Sequence, residues 1–269
     1  MRSFFYGIPE RLSLVLHRCR RNSSKQLTYR LFICVFSQKT TVRILLLSSL
    51  FFLLPLSANQ FDSKALHNSM SQRFNKEGTD LLLDWDSLLT QIYSEPITLQ
   101  LTRVNSFFNH HIRYSDDLIL WKKSDYWATL VDTLGVGAGD CEDFTIAKYL
   151  TLRALGIPDN SLRLIYVKAQ IGGAHSKKFQ AHMVLGYFSS PSAVPLILDN
   201  LVKTIKPANK RTDLSPVFSF NSQGLWIGSQ QTNADSTVRL SRWRDLLDRN
   251  SKDGFIFPAV SPIIKTQAP

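Results

Sequence analysis

GVGAGDCEDFTIAKYLTLRALGIP, residues Gly135 to Pro158, is the stretch around which the rest of the chain can be organised. Its first three glycines, Gly135, Gly137 and Gly139, make a loop able to approach another backbone closely. Asp140 is a favoured helix N-cap, and Asp143, three positions later, gives an acidic variant of the capping box. Phe144, Ala147, Leu150, Ala154 and Leu155 then form an apolar stripe at helical spacing, and Gly156 with Pro158 ends it. The pattern predicts a helix of about four turns whose first residue is Cys141.

Upstream, residues 70–92 read as one helix, because Leu81, Leu82, Trp85, Leu88, Leu89 and Ile92 share a face. Glu95-Pro96 breaks the pattern. A second helix is expected from Ile97 to His111, with Leu101, Val104, Phe107 and Phe108 on its apolar face. His110 and His111 close it and suit the dipole of a last turn, so they read as structural or solvated. A polar stretch with Asp116, Asp117, Trp121 and Trp127 leads to the glycine loop.

Downstream, Leu162–Ala169 is rich in β-formers and ends at Gly172-Gly173. Gln180–Phe188 and Ala193–Leu198 flank a turn at Ser189–Ser192. Pairing Phe188 with Ala193 places His182 directly opposite Asp199, on one face of the sheet. The tail from Pro207 to Pro269 reads as further strands and one short helix near Ser241–Asp248. The fold class expected is α+β: a helical N-terminal lobe packed on an antiparallel β-sheet, with residues 59–269 forming a single domain.

The chain has 269 residues, 44% hydrophobic and 20% charged, enough apolar material for one sizeable core. Its net charge of +11 suggests nucleic acid until its distribution is examined. Residues 1–58 hold nine Lys/Arg and one acid, a net of +8; the remainder has 23 bases and 20 acids, a net of +3. A domain at +3 with interspersed signs has no phosphate footprint, so no nucleic-acid partner is expected. Arg43, the apolar run Ile44–Leu56 and the small residues Ser57-Ala58 have the order of a secretory signal peptide, with cleavage expected after Ala58. The alternative is an inner-membrane anchor facing the periplasm, against which thirteen apolar residues are short of the roughly 20 needed to span a bilayer. Residues 1–41 read as an over-extended N-terminus, with a start at Val42, or as a basic tail. Export to the periplasm would remove Cys19 and Cys34 and leave Cys141 as the one thiol, unable to form an intramolecular disulfide.

A helix N-terminus offers unpaired N–H groups and partial positive charge, which favour a thiolate. A neighbouring imidazole, held in its working tautomer by a third group, completes an activated nucleophile. Cys141 at a helix start with His182 and Asp199 on adjacent strands fits that arrangement, which is the papain-like one. His175 is a rival base in a glycine-rich loop, and Asn200 a weaker rival for the orienting role. The acids Asp140, Glu142 and Asp143 oppose a thiolate and exceed what capping needs. A bound divalent cation would offset them, and carboxylate oxygens suit Ca²⁺.

Taken together, Asp125-Tyr126-Trp127, Gly137-Ala138-Gly139-Asp140-Cys141-Glu142-Asp143, Ala181-His182-Met183-Val184-Leu185 and Leu198-Asp199-Asn200 resemble the bacterial transglutaminase-like cysteine proteinases. The resemblance spans about residues 60 to 250. Leu130 stands where a proline is expected. The resemblance implies a papain-like fold, a Cys141–His182–Asp199 triad, and Ca²⁺ bound through Asp140 and Glu142; beside it, the nearby acids Asp143 and Asp116 or Asp117 are further candidate ligands. It implies a large secreted adhesin as substrate, cut in its N-terminal region at a paired-alanine site, with biofilm dispersal as the consequence. It also implies an inner-membrane cyclic-di-GMP receptor of the LapD type as regulator. Two other readings share these residues: a transglutaminase-like acyl transferase, and a non-catalytic calcium-dependent binding module.

Overall fold

Phe74 and Asn75 interrupt what the sequence pattern presents as one helix. Both take extended backbone angles, so two helices form: α1 (Ser63–Arg73) and α2 (Lys76–Ile92). The polar caps explain the break. Asp62 accepts from the N–H of Ala65 at the start of α1, and Asn75 from that of Gly78 at the start of α2. The computed structural model describes residues 61–173, 175–232 and 240–257. The readings of the leader and of Cys19 and Cys34 lie outside the described residues.

The next helix, α3 (Ile97–His111), has the expected bounds and buries Leu101, Val104, Phe107 and Phe108. His110 bonds to the Ser106 carbonyl at 2.6 Å and His111 stacks on Phe107, both exposed, as structural or solvated residues should be. Strand β1 (Arg113–Tyr114), α4 (Asp117–Leu120), α5 (Leu130–Val136) and β2 (Ala138–Gly139) lead to α6 (Cys141–Ala154). Gly137 ends α5 in a left-handed conformation, φ 63°, which favours glycine.

α6 departs from the one-sided stripe read in the sequence. Every residue from Asp143 to Arg153 is buried. One side meets the helices, where Trp85 Nε1–H donates to Thr151 Oγ1 at 2.8 Å. The other meets the sheet, where Thr145 Oγ1–H donates to the Met183 carbonyl at 3.0 Å. The helix is central, and its polar residues are buried with hydrogen-bond partners.

The sheet contains β3 (Leu162–Ile171), β4 (Lys178–Tyr187), β5 (Leu196–Leu198), β6 (Lys206–Pro207), β7 (Leu214–Phe220), β8 (Leu225–Ile227) and β9 (Gln230–Gln231). Its order is β6-β5-β4-β3-β7-β8-β9, with antiparallel neighbours throughout. Leu162, Leu164, Met183, Leu185, Leu198 and Phe220 face the helical core. Ile165, Val167, Ala169, Val184 and Ile197 form a second apolar cluster on the other face. The tail supplies β7, which pairs with the central strand β3, and a last helix α7 (Ser241–Lys252), longer than expected. Among the described residues no helix is long and apolar enough to cross a membrane.

The β4–β5 register corrects the expected one. Leu185 pairs with Leu198, Gly186 with Ile197 and Tyr187 with Leu196, a shift of two residues. The four-residue turn is replaced by a longer connection, Phe188–Pro195. Within it Ala193 N–H closes a local turn on the Ser190 carbonyl, and Pro195 has no N–H for a ladder. A two-residue shift preserves faces, because side chains alternate with period two. His182 and Asp199 therefore remain neighbours, diagonal instead of directly opposed.

Candidate active site

β5 pairs with β4 only over Leu185–Tyr187, so the β4 edge at His182 and Met183 is left without a strand neighbour on that side. The start of α6 occupies it. Thr145 bonds to the Met183 carbonyl, and the Met183 backbone N–H hydrogen-bonds to Cys141. The expected helix start is thus observed, with Cys141 as its first residue, and it abuts the strand that carries His182.

His182 Nε2 lies 2.8 Å from Asp199 Oδ1, with both residues buried. Asp199 has further partners. The Leu201 N–H donates to Oδ1 at 2.9 Å and Arg211 Nη2–H to Oδ2 at 2.7 Å. Burial alone would raise the Asp199 pKa. The hydrogen bond and charge of His182, the Leu201 amide and Arg211 outweigh it and bring it down to about 2. His175 is exposed in the turn before β4, and no carboxylate contacts it among the described residues.

The surroundings of Cys141 are of the opposite kind. Its thiol donates to Glu142 Oε2 at 3.0 Å, and among the described residues it makes no hydrogen bond to His182. Burial raises its pKa; the charge and hydrogen bond of Glu142 and the charge of Asp140 add to this, while the Met183 N–H opposes it. Burial, then the carboxylates of Glu142, Asp143 and Asp117, push Asp140 up to about 10. Asp117 is raised to about 6, chiefly by burial. Asp143 is raised well above the usual range by burial, although the Ala128 and Asp140 amides donate to it at 2.8 and 3.3 Å. Gly139 is needed here: a Cβ on it would lie 2.7 Å from Asp143 Oδ2.

Three overlapping groups bring donor atoms within 4.8 Å of one another: Asp117–Asp140–Asp143, Asp117–Asp125–Glu142 and Asp140–Cys141–Glu142. Asp117 Oδ1 and Asp140 Oδ1 are buried with no hydrogen-bond partner. Converging, unpaired hard oxygens are the donor set that Ca²⁺ takes. The residues present therefore fit the expected cation.

A family model described as bacterial transglutaminase-like cysteine proteinase matches residues 88–222. The chain belongs to this family. Legionella pneumophila LapG is 36% identical in a match covering 69% of this chain and 94% of that one, with a TM-score of 0.60. EGTA-treated LapG matches with a TM-score of 0.61 over 71% and 99%, and calcium-bound LapG with 0.58 over 68% and 97%, each again at 36% identity. No curated protein matches the chain. The helices packed on an antiparallel sheet are thus the papain-like, transglutaminase-like α+β fold, and the protein is a cysteine proteinase.

Several residues of the proteinase escaped the sequence reading. Asp125, in the sequence only part of the Asp125-Tyr126-Trp127 motif, joins Asp117 and Glu142, with φ 128° and braced by Arg242 at 2.8 Å and Trp127 Nε1 at 3.0 Å. Asp117 was one of two candidates, and its burial decides for it. Arg211 carried no signal at all, since its contact with Asp199 depends on where the β6–β7 connection passes. Leu130 occupies the first position of α5, where proline would be tolerated, but its N–H donates to Asn250 Oδ1 at 3.3 Å. That hydrogen bond is one a proline cannot make.

Proposed function

We propose that this proteinase is a calcium-dependent endopeptidase acting in the periplasm through a Cys141–His182–Asp199 triad. The observation that carries the reading is the buried His182 Nε2–Asp199 Oδ1 contact on the strand edge against which Cys141 packs. Among the described residues Nδ1 of His182 makes no hydrogen bond, and it is the nitrogen proposed to face the thiol. In the reaction proposed, His182 takes the Sγ proton and the thiolate attacks the scissile carbonyl carbon, forming a C–S bond. The Cys141 backbone N–H, at the helix start, donates to the developing oxyanion. His182 then protonates the leaving amine as the C–N bond breaks, and Asp199 stabilises the imidazolium formed between these steps. Water, deprotonated by His182, attacks the thioester and returns the thiol.

Asp117, Asp125, Asp140, Glu142 and Asp143 would hold the Ca²⁺. When bound, the ion supplies positive charge that offsets these carboxylates beside a thiol that must ionise. Calcium-bound and EGTA-treated forms of LapG support this reading. The substrate proposed is the N-terminal region of a large secreted adhesin, cut at a paired-alanine site, so that its release disperses a biofilm. The regulator proposed is an inner-membrane cyclic-di-GMP receptor that sequesters the enzyme. The likeness to LapG is what supports both.

Cleavage of such an adhesin fragment tests the reading. EGTA should abolish it, Ca²⁺ restore it and Mg²⁺ restore it poorly, because Mg²⁺ demands tighter octahedral geometry. Glu142→Ala should imitate chelation with Cys141 still present. Wild-type rates from Glu142→Ala, together with indifference to EGTA, would reduce the acids to helix capping.

A further inference from the structure

The sheet face turned away from the helices holds a cavity of about 370 Å³, within the range of small-molecule sites. Ile165, Val167, Val184 and Ile197 give it an apolar wall. Cys141 packs with the core on the opposite, helical side, so the cavity is distinct from the thiol's surroundings.

Two arginines also line it, and they are in different states. Arg211 is ion-paired with Asp199 and Asp213, at 2.7 Å each. Arg163 has no carboxylate partner among the described residues. Its guanidinium is 4.4 Å from the ring centroid of Phe188 and 4.1 Å from that of Trp226. Aromatic faces attract a cation but offer its N–H groups no ordinary acceptor. Accordingly Arg163 Nε is buried with no hydrogen-bond partner. Arg211 is 4% exposed and likewise keeps its Nη1 buried without one. A buried donor left unpaired is costly, and at Arg163 it is the Nε that is buried while the side chain as a whole is half-buried. Burial indeed draws the Arg163 pKa down.

We propose that this cavity binds a small apolar monocarboxylate, an acyl or aryl chain whose carboxylate sits on Arg163 and whose body lies against Ile165, Val167, Val184 and Ile197. The charge distribution sets the orientation. Two aspartates already offset Arg211, so a further anion there meets like charge, whereas at Arg163 it supplies the missing counter-charge. A guanidinium matches a carboxylate in a planar, two-bond fork, and aromatic neighbours hold that plane in place.

Calorimetric titration of the whole protein with octanoate, beside neutral 1-octanol, tests the site. Saturable binding of one octanoate per chain is expected. Affinity should be weaker by roughly tenfold or more for octanol, and for octanoate with Arg163→Met, the worth of a charge-assisted hydrogen bond. Ala193→Trp, which fills the rim from an exposed connection, should abolish binding. Should Arg163→Met fail to fold, the octanol comparison and Ala193→Trp still decide. Absent octanoate binding, octanol binding as tight as octanoate, or unchanged binding in Ala193→Trp overturns the proposal. No cleavage enters these readouts, so failure here is separable from failure of the proteinase mechanism.

Discussion

Asp199, fully buried, and Asp140, partly buried, both lie close to a proposed catalytic side chain, yet their pKa values are driven to about 2 and about 10. Every oxygen of Asp199 meets a donor: His182 and the Leu201 amide on one, Arg211 on the other. Asp140 meets other carboxylates, and its Oδ1 meets nothing. The difference teaches that burial of an acid has no fixed consequence. A closed network of donors makes the charge permanent, while a cluster of like charges stays incomplete until a cation joins it.

The largest effect should come from breaking the closed half. Asp199→Asn keeps the shape but removes the charge that stabilises imidazolium, and kcat should fall about 10⁴-fold, as in serine triads. Steady-state kinetics on a folded variant checks this; a loss under tenfold would detach Asp199 from the reaction.

Arg211→Met breaks the same network from its far side. Removing one partner of a buried ion pair should lower stability by about 3–5 kcal/mol, read by urea unfolding. The pH dependence sharpens the point. The folded pKa of Asp199 is depressed from 3.8 to about 2. Its contribution of about 2 kcal/mol is therefore full above pH 4 and lost as pH falls towards 2. In Arg211→Met the folded pKa of Asp199 should rise, so this contribution should be smaller and its loss complete at a higher pH; an unchanged acid limb would contradict the role given to Arg211.

The open half should respond in the reverse sense. Asp117→Asn removes one like charge from the acidic cluster while keeping an oxygen for the Tyr126 amide. In EGTA its melting temperature should exceed that of wild type by a few degrees, about 1 kcal/mol, and its gain from added Ca²⁺ should be smaller. Melting below wild type in EGTA would show that the carboxylates do not repel one another.

The sequence made much of this visible because the decisive signals were local. Asp140 and Asp143 as a capping box, Gly156 as a stop and the apolar spacing of α3 act within a few residues. The His182–Asp199 pairing was also legible despite a wrong register, since a slip of two residues leaves faces unchanged. What escaped depends on non-local packing. Asn75 divides a helix that apolar periodicity alone presents as continuous. The burial of α6 on all sides follows from layers on both flanks, which a stripe count cannot register. Asp125 acquires Arg242 only when the last helix packs over the site, and Arg211 reaches Asp199 only through the path of the β6–β7 connection.

The most direct measurement is the identity of the acylated residue. A substrate fragment mixed with the calcium-loaded enzyme and quenched during turnover should leave a thioester adduct, which peptide mass spectrometry should place on Cys141. Cys141→Ala should yield no adduct and no cleavage while keeping its fold, because Ala is a good helix former. An adduct on another residue, or cleavage persisting in Cys141→Ala, would contradict the account.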